Sequence, residues 1–278
     1  MSDKDDRRCD LHLHTNFSDG LLRPDTVVRK AKELGLAAIA ISDHDAVGGI
    51  DIAIHVGRLL GVEVVPAIEM SCIYRKTDIH MLGFYMDYHN PDLLGFLYKV
   101  QQKRLERAQK MVSKLNQAGV ALDIERVMAI AGGAALGRPH IAQALVERGL
   151  ARTMDDAFNR FLGYHCSAYV PKMEIPPVEA IGFIKNYGGI PIAAHPGSYN
   201  DEELLNMLIT SGLMGIEVYH PDHNAAKTEH YLEIAQKNRL FITGGSDCHG
   251  GRKGRLFIGC VTVPYRNLAA MKAYKGIP

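Results

Sequence analysis

Seven short apolar segments alternate with amphipathic stretches along this chain, and this alternation limits the folds that it can adopt. The apolar segments lie at residues 9–14, 36–41, 62–68, 79–86, 189–194, 214–219 and 240–244. Helical patterns lie between several of them, at 24–35, 46–60, 177–187, 200–211 and 224–238. Strands that alternate with helices predict a parallel sheet or barrel. Apolar runs without strict alternation are typical of strands covered on both faces.

Polar, ionisable side chains follow most of these segments. "LAAIAI" precedes "SDHD", "GIPIAA" precedes "HPG", and "LFITG" precedes "GSDCHG". Ligands in parallel α/β folds bind beyond the carboxyl ends of the strands. The pattern therefore predicts a functional site at that end of the sheet. His80 is the exception, because it lies near the start of its segment.

The opening segment, "CDLHLHT", alternates polar and apolar residues. In a strand, residues two apart share a face. We therefore expect Leu11 and Leu13 to pack on one side and Asp10, His12 and His14 to lie together on the other.

One stretch interrupts the alternation of strands and helices. Residues 92–118 read as one long amphipathic helix, and further helical segments follow at 138–149 and 153–163. We predict two domains: a barrel formed by residues 1–91 and 171–278, and a helical insertion domain at 92–170.

Composition excludes some classes of protein. The formal net charge of +1 over 278 residues gives no global attraction to nucleic acid or membrane. The N-terminus is charged, and no apolar run approaches the roughly 18 residues of a membrane span. Five scattered cysteines without a CxxC pair favour a reducing compartment. We therefore predict a cytoplasmic protein with no membrane partner.

Many His, Asp and Glu residues lie at or near the ends of the predicted strands. They are Asp10, His12, His14, Asp19, Asp43, His44, Glu69, His80, His195, His220, Asp247 and His249. Burying so many ionisable groups in one cavity is costly unless they are paired or coordinate a metal. Imidazoles and carboxylates are the ligand set of Zn, Mn or Fe. The coincidence at so many strand ends therefore predicts a metal site.

The order of these motifs resembles that of a known family. "DLHLHT", "SDG", "SDHD", "IEMS", "HPG" and "SDCHG" are similar to successive motifs of the polymerase and histidinol phosphatase (PHP) family, across nearly the whole chain. The insertion, with "GRPHIAQALVERG" and "YVPK", resembles the nucleotide-phosphatase-like branch. The resemblance implies a distorted (β/α)7 barrel of PHP type holding two or three divalent metal ions.

The resemblance also implies three metal positions, numbered here for later use. The first would be held by His12, His14, Glu69 and Asp247. The second would be held by Glu69, His80 and His195. The third would be held by Asp19, His44 and His249. Asp10 would fix the tautomer of an imidazole, and Asp43 would either do the same or cap the turn that follows it.

These positions predict the chemistry. Metal ions about 3.5–4 Å apart generate hydroxide at neutral pH and neutralise a phosphate ester. We expect hydrolysis of a phosphate monoester by a metal-bridging hydroxide, with Glu69, Asp247 and His220 as catalytic residues. His220 could donate a proton to the leaving group, although a surface role is equally open.

Other residues are candidates for substrate binding. Arg138 and His140 are chosen because guanidinium matches phosphate oxygens and the matching part of the family lies over the metals. His223 could contact the base. Several phosphatases of this branch have Arg directly after "HPG", where this chain has Ser198.

The long predicted helix carries several basic residues: Lys99, Lys103, Arg104, Arg107, Lys110 and Lys114. We interpret them as a solvated face. If they lined the cleft instead, they could steer a short oligonucleotide.

The sequence thus predicts a metal-dependent phosphoesterase acting on a nucleotide, either AMP or a 3′,5′-bisphosphonucleotide. Two alternatives stay open: a 5′–3′ exoribonuclease or oligonucleotide phosphodiesterase with the same metals, and a non-catalytic partner module. Amide hydrolysis is a further rival that would use much the same site. The metal (Mn, Zn or Fe), the oligomeric state, the general acid and any lid motion of the insertion are not determined.

Overall fold

The computed structural model describes residues 7–251 and 257–278; the charged start of the chain, residues 1–6, lies outside this range. The strands are β1 (Arg8–Leu13), β2 (Ala38–Ile41), β3 (Glu63–Tyr74), β4 (Thr77–Phe84), β5 (Ile190–Ala193), β6 (Gly215–Tyr219), β7 (Phe241–Gly244) and β8 (Val263–Pro264). The α-helices are α1 (Pro24–Glu33), α2 (Ile50–Leu60), α3 (Pro91–Gln117), α4 (Ile124–Ala131), α5 (Arg138–Glu147), α6 (Met154–Ala157), α7 (Pro177–Asn186), α8 (Glu202–Thr210), α9 (Ala225–Lys237) and α10 (Tyr265–Lys275). A π-helical turn, Phe158–Leu162, continues α6, and a 3₁₀ turn, Pro196–Ser198, follows β5.

The strands form one sheet in the order β7-β6-β5-β4-β3-β2-β1-β8. A parallel bridge between Leu13 and Cys248 links β1 to the segment after β7, so the sheet is a nearly closed barrel. This confirms the predicted PHP-type barrel. The seven predicted segments all form strands, and the structure adds the two-residue β8, which pairs antiparallel with β1. So short a strand has no sequence period to reveal it.

The fourth strand runs opposite to its neighbours. β4 is antiparallel to both β3 and β5, whereas β1, β2 and β3, and also β5, β6 and β7, pair in parallel. The start of β4 therefore lies beside the carboxyl ends of the other strands. This explains why His80, near the beginning of its strand, reaches the same end of the barrel as residues that follow β5 and β6.

The predicted two-faced pattern of β1 is wrong in part. The register of β1 against β2 shifts between Asp10 and Leu13. Leu11 packs in one cluster with Cys9 and the barrel residues, whereas Leu13 packs in another with helices α1 and α2. A local irregularity of this kind reverses which side successive residues face. His12 and His14 still converge, but Asp10 points elsewhere, as described below.

The helices after β4 have an apolar cluster of their own. Its buried members all lie between residues 108 and 168. The first half of α3 instead packs on the barrel through Leu93, Leu97 and Val100, so α3 belongs to both layers. The predicted boundaries of the insertion domain, 92–170, stay a prediction.

Within the described residues, no helix combines the length and apolarity needed to cross a bilayer. The cytoplasmic location stays a prediction.

Gly245 directly follows β7 and packs against β1. A Cβ at this position would lie 2.4 Å from the backbone nitrogen of His12 and 2.5 Å from its Cβ. Because these are backbone-level contacts, Gly245→Ala must displace β1. We expect it to lower the free energy of unfolding by about 1–3 kcal/mol and to weaken metal binding, measured by denaturant unfolding and by metal titration.

Gly182, in the middle of α7, is the matched control, because a Cβ there would have no atom within 4 Å. Gly182→Ala should stabilise the protein by about 0.5–1 kcal/mol, since alanine favours a helix interior. Equal effects of the two substitutions would contradict the tight packing of β7 on β1.

Candidate metal centre

The residues predicted to hold metal come together at the carboxyl end of the barrel. They form three overlapping groups whose candidate ligand atoms lie within 4.8 Å of one another in each group: His12, His14, Glu69 and Asp247; His44, Glu69 and His80; His14, Asp19, His44 and His249. His195 contacts the second group through Glu69. Most of these side chains are buried.

Glu69 is the centre of the cluster, and each of its carboxylate oxygens faces a different set of rings. Oε2 lies 3.0 to 3.3 Å from ring nitrogens of His12, His14 and His44. Oε1 lies 2.9 Å from His80 Nδ1 and 3.0 Å from His195 Nε2. One carboxylate can therefore serve two neighbouring metal positions.

The first position has separations close to those of a tetrahedral metal site. His12 Nε2 and His14 Nε2 are 3.2 Å apart, and each lies 3.1 to 3.6 Å from Glu69 Oε2 and Asp247 Oδ1. Ligand atoms held about 2.0–2.1 Å from a tetrahedral ion lie about 3.3–3.4 Å apart. The four side chains thus fit a single ion.

The second position is a triangle of ligand atoms. Glu69 Oε1 lies within 3.0 Å of both His80 Nδ1 and His195 Nε2, and the two ring nitrogens are 3.4 Å apart. His195 Nδ1 lies 3.1 Å from Ser198 Oγ, a contact that leaves Nε2 directed at Glu69. Ser198, the departure from the expected arginine, therefore orients a candidate ligand.

The third position is more open. His249 Nε2 lies 3.3 Å from Asp19 Oδ1, and His14 Nδ1 lies 3.9 Å from the same oxygen. His14 already directs Nε2 at the first position, so Asp19, His44 and His249 are the side chains left for the third.

The cluster also contains buried polar atoms that have no hydrogen-bond partner within the described part of the chain and that a bound cation would satisfy. Among residues 7–251 and 257–278, the buried atoms that make no hydrogen bond include three from candidate ligands, Asp19 Oδ1, His44 Nδ1 and Glu69 Oε2. Buried polar atoms are nearly always bonded, so each such atom needs an explanation. The donor types, the separations and these atoms together fit divalent metal ions.

The carboxyl of Glu69 has a depressed pKa in spite of its burial. Burial opposes its charge, but the rings of His44 and His80 hold the pKa of that carboxyl well below its ordinary value. Burial likewise opposes protonation of His14, yet the neighbouring carboxylates of Asp247 and Glu69 raise its pKa to about 9. Burial lowers the pKa of His80 to about 4. A metal must therefore displace a proton from His14, and its binding weakens as the pH falls.

Glu217, on β6, is a functional residue that the sequence analysis missed. Its Oε1 lies 2.9 Å from His12 Nδ1, and its Oε2 accepts the backbone N–H of His195 at 2.8 Å. It therefore holds the ring of His12 with Nε2 directed at the first position. The available signal in the sequence was a single acidic residue inside the apolar run "MGIEVY". The structure buries this side chain completely.

Asp10 does not have this role, which corrects the prediction that it fixes an imidazole. Its carboxylate accepts hydrogen bonds from Ser246 N and Oγ and from Gly259 N. The register shift in β1 turns it towards the loops after β7. The Asp43 carboxylate has neither of the predicted roles: it accepts from Thr15 N, Thr15 Oγ1 and Ser18 Oγ, in the loop after β1.

Two candidate ligands adopt backbone angles that L residues rarely adopt. His195 has φ +28° and Asp247 has φ +48°. Such strain persists where surrounding contacts enforce it, and it clusters at functional sites.

A cavity of about 950 Å³ opens over the cluster. Glu69, His80, His195 and Asp247 are among the residues that line it. The lining also includes residues that the sequence analysis missed, among them Asp78, Tyr164, Tyr169 and Lys172.

This second part of the lining is organised around Asp78, at the start of β4. Asp78 Oδ1 lies 2.8 Å from Lys172 Nζ, and Oδ2 accepts from Arg138 Nη2 at 3.2 Å and from the hydroxyl of Tyr164. Burial opposes the charge of Asp78, but Lys172 holds the pKa of this carboxyl at about 2. Arg138 thus lies directly behind the cavity wall.

The structure does not bring His140 or His223 to the cavity. His140 is buried at the start of α5, where its Nδ1 accepts the N–H of Gly137. His223 uses both ring nitrogens on backbone: Nδ1 donates to Val218 O, and Nε2 accepts from Gly197 N. Contact of these two rings with substrate stays a prediction, and this geometry does not favour it.

The basic residues of α3 divide into two sets. Lys99, Lys103, Lys110 and Lys114 are exposed, as a solvated face requires. Arg104 and Arg107 are half-buried instead, with hydrogen bonds to Asp45 and to Val170 O.

Several known proteins are similar to this chain in sequence or structure. The PHP domain family matches residues 10–127. The chain is 31% identical to the 5′-3′ exoribonuclease Rnm of Salmonella typhimurium, over 86% of this chain and 84% of that protein. It is 30% identical to the 3′,5′-nucleoside bisphosphate phosphatase of Chromobacterium violaceum, over 90% of each chain. This chain belongs to the PHP family.

Other PHP relatives extend the comparison. The phosphoribosyl 1,2-cyclic phosphate 1,2-diphosphodiesterase of Eggerthella lenta is 31% identical over 87% of this chain and 94% of that protein. A crystal structure from Bifidobacterium adolescentis, described as a metal-dependent phosphoesterase, superposes with a TM-score of 0.90 at 31% identity and covers 98% of both chains. With the His, Asp and Glu cluster able to bind metal, this PHP protein is a metal-dependent phosphoesterase.

Replacing Glu69 tests the shared carboxylate. Glu69→Gln removes the charge that both the first and the second positions use. We expect metal affinity to fall by more than about 100-fold, beyond the loss typical of residues outside the ligand set, and phosphoesterase activity to fall with it. Metal content by mass spectrometry and calorimetric titration with Mn²⁺ measure this.

The matched control lies on the same strand. Glu63, at the start of β3, pairs with Lys272 and Tyr265 outside the cavity. Glu63→Gln should bind metal like the wild type. Full metal content and activity in Glu69→Gln would overturn the assignment of Glu69.

Proposed function

We propose that this PHP protein hydrolyses the phosphate monoester of a nucleotide, AMP or a 3′,5′-bisphosphonucleotide. The observation that carries the proposal is the cavity of about 950 Å³, whose lining includes both candidate metal ligands and the cations Arg75, Lys76 and Lys172. Ligand pockets for small molecules span about 300–1,000 Å³, so a nucleotide fits. The relative from Chromobacterium violaceum, named for nucleoside bisphosphates, supports the same substrate class.

We further propose two or three divalent ions, of Mn, Zn or Fe, at the three positions defined above. When bound, such ions supply hydroxide at neutral pH and neutralise charge on the phosphate. His12, His14, Glu69, Asp247, His80, His195, Asp19, His44 and His249 would hold them. Glu217 and Ser198 keep two of the rings in the required orientation.

His220 is the candidate proton donor. Its Nδ1 accepts the N–H of Asp222 at 3.1 Å, so the neutral ring carries its proton on Nε2. This nitrogen is buried, lies 3.6 Å from Asp247 Oδ2, and its ring lines the cavity. In this form His220 can donate an Nε2–H hydrogen bond to the leaving oxygen. To transfer the proton itself, the ring must first be protonated at Nδ1, which breaks the contact with Asp222 N, and the negative charge of Asp247 stabilises the resulting imidazolium.

The part of the cavity lining around Asp78 is suited to anions. Lys172 lines the cavity, and its ammonium keeps N–H groups beyond the one bonded to Asp78. Arg138 lies behind this lining, with Nη2 on Asp78 and Nη1 on Leu162 O, and we propose that its remaining N–H groups reach a phosphate of the substrate. Tyr164 and Tyr169, with ring centroids 4.9 Å apart, add an aromatic surface beside them. Such a wall can take the remaining phosphate and the base of a nucleotide.

A second candidate function rests on the relatives. The protein from Salmonella typhimurium is named as a 5′-3′ exoribonuclease, and the one from Eggerthella lenta as a cyclic phosphate diphosphodiesterase. Both names describe cleavage of a phosphate diester. The same metal cluster could perform that reaction on a short 5′-phosphorylated oligonucleotide.

A panel of substrates tests the proposal. Manganese-loaded protein is assayed with AMP, adenosine 3′,5′-bisphosphate, a 5′-phosphorylated trinucleotide and phosphoribosyl 1,2-cyclic phosphate. We expect inorganic phosphate from the first two, because both present a monoester to the metals. Glu69→Gln, prepared in parallel, excludes contaminating phosphatases.

Other product patterns would redirect the assignment. Mononucleotides released from the trinucleotide, without phosphate from AMP or the bisphosphate, would favour the exoribonuclease. Opening of the cyclic phosphate alone would favour the diesterase.

Arg138→Ala tests the anion-binding wall. Loss of a charge-assisted hydrogen bond should lower kcat/KM by about 10–100-fold, chiefly through KM, with metal content unchanged. Arg126→Ala is the control, because Arg126 pairs with Glu147 on the outer surface of the insertion. Unchanged kinetics in Arg138→Ala would remove Arg138 from the substrate site.

A further inference from the structure

The residue after His44 has an unusual backbone conformation. Asp45 has φ +48°, in the left-handed region that L residues rarely adopt. Such a conformation persists only where the surroundings enforce it. The carboxylate of Asp45 is 1% exposed, so the restraint must come from buried partners.

Those partners come from both the barrel and the insertion. Asp45 Oδ1 accepts the N–H of Ser71, on β3, at 2.9 Å. Asp45 Oδ2 accepts from Arg104, on α3, through Nε at 3.0 Å and Nη2 at 2.5 Å. Gln101, one turn earlier on α3, donates to the backbone oxygen of Asp45 at 3.1 Å.

Arg104 is itself fixed on several sides. Nη2 also donates to Ser71 Oγ at 2.8 Å, and Nη1 donates to Leu136 O at 3.3 Å. Leu136 belongs to the insertion's own apolar cluster. One planar guanidinium thus joins the loop after β2, strand β3 and the insertion, a geometry for which arginine is suited and lysine is not.

The same loop holds the candidate ligand His44. Asp45 N donates to Glu69 O at 3.1 Å, and Glu69 N donates to Asp43 O at 3.2 Å, so His44 is held between two backbone bonds to Glu69. Its Nδ1 lies 3.0 Å from Glu69 Oε2. Within the described residues the His44 ring makes no hydrogen bond, in contrast to His12 and His195. The position of this ring therefore depends on the backbone of residues 43–45.

We propose that Arg104 is a positioning residue for metal binding by His44. Through Asp45 it holds the loop after β2, and so places His44 at the third position, with His14, Asp19 and His249 around it. The first position does not use His44 and should be nearly independent of Arg104. This inference rests on the proposed metal site and adds that the helical insertion takes part in forming it.

The competing explanation is that Arg104 only attaches the insertion to the barrel. Arg107 is the matched control, because it lies one turn further along α3, is also half-buried, and donates to Val170 O at 2.7 Å without contacting the loop at residues 43–45. A purely structural role predicts similar effects of losing either arginine.

The test is a calorimetric titration of Mn²⁺ into chelator-treated protein, with the wild type, Arg104→Gln, Arg104→Lys and Arg107→Gln compared. We expect Arg104→Gln to bind Mn²⁺ about 10–100-fold more weakly than the wild type at one class of site. Mn²⁺ affinity at another class of site should be unchanged. Arg107→Gln should match the wild type, and Arg104→Lys, which keeps the charge, should recover part of the loss. Melting temperatures of the metal-free forms report any general destabilisation.

Three outcomes would overturn the inference. Wild-type affinities at every site in Arg104→Gln would show that the pair does not position His44. Equal losses in Arg104→Gln and Arg107→Gln would show that only attachment of the insertion matters. A wild type that binds no metal would remove the proposed function itself, which is a distinguishable result. If Arg104→Gln does not fold, Arg104→Lys carries the same comparison, with a smaller expected loss.

Discussion

The structure depends on one buried carboxylate, that of Glu69. Five histidine rings approach its two oxygens, three at Oε2 and two at Oε1. These rings come from β1 or its end, from β4 and from the loops after β2 and β5. All of these segments must therefore reach the level of Glu69 along the barrel axis. A charge buried among ring nitrogens is tolerated only when it is paired or coordinated. The requirement for a cation therefore explains why the barrel concentrates its polar residues at one end and leaves apolar side chains to fill the rest.

Much of the barrel could be predicted from local pattern. The segments at 36–41 and 189–194 form β2 and β5 close to their predicted limits, because short apolar runs between helical patterns have few alternative structures. The direction of β4 could not be predicted, since strand orientation depends on pairing partners distant in sequence. The irregularity in β1 was also hidden, because the alternation "DLHLH" is that of a regular strand. It separated Leu11 from Leu13 and turned Asp10 away from the rings.

The candidate site, too, could be predicted from the sequence only in part. His12, His14, Glu69 and Asp247 converge because their motifs follow or lie on strands of one sheet, and the resemblance to the PHP family named them together. Residues that act through others gave weaker signals. Glu217 is one acid in an apolar strand, and Arg104 was grouped with the exposed lysines of α3, since helical spacing alone does not show that a partner such as Asp45 lies beside it.

The directions of the strands do not require the unusual length of α3. Because β4 runs away from the metal end and β5 runs back towards it, β4 finishes at the end of the barrel where β5 begins, and a short turn could join the two strands. The 27 residues of α3 extend about 40 Å, enough to climb the side of the barrel and carry the insertion past its rim. The first half of α3 packs on the barrel, and the second half packs in the insertion's own apolar cluster. Deletion of a single residue between them would turn the second half by about 100° relative to the first. The packing of both halves thus fixes the number of residues in α3. The loops of the insertion are under no such constraint, and we expect them to tolerate insertions and deletions far better than the helix does.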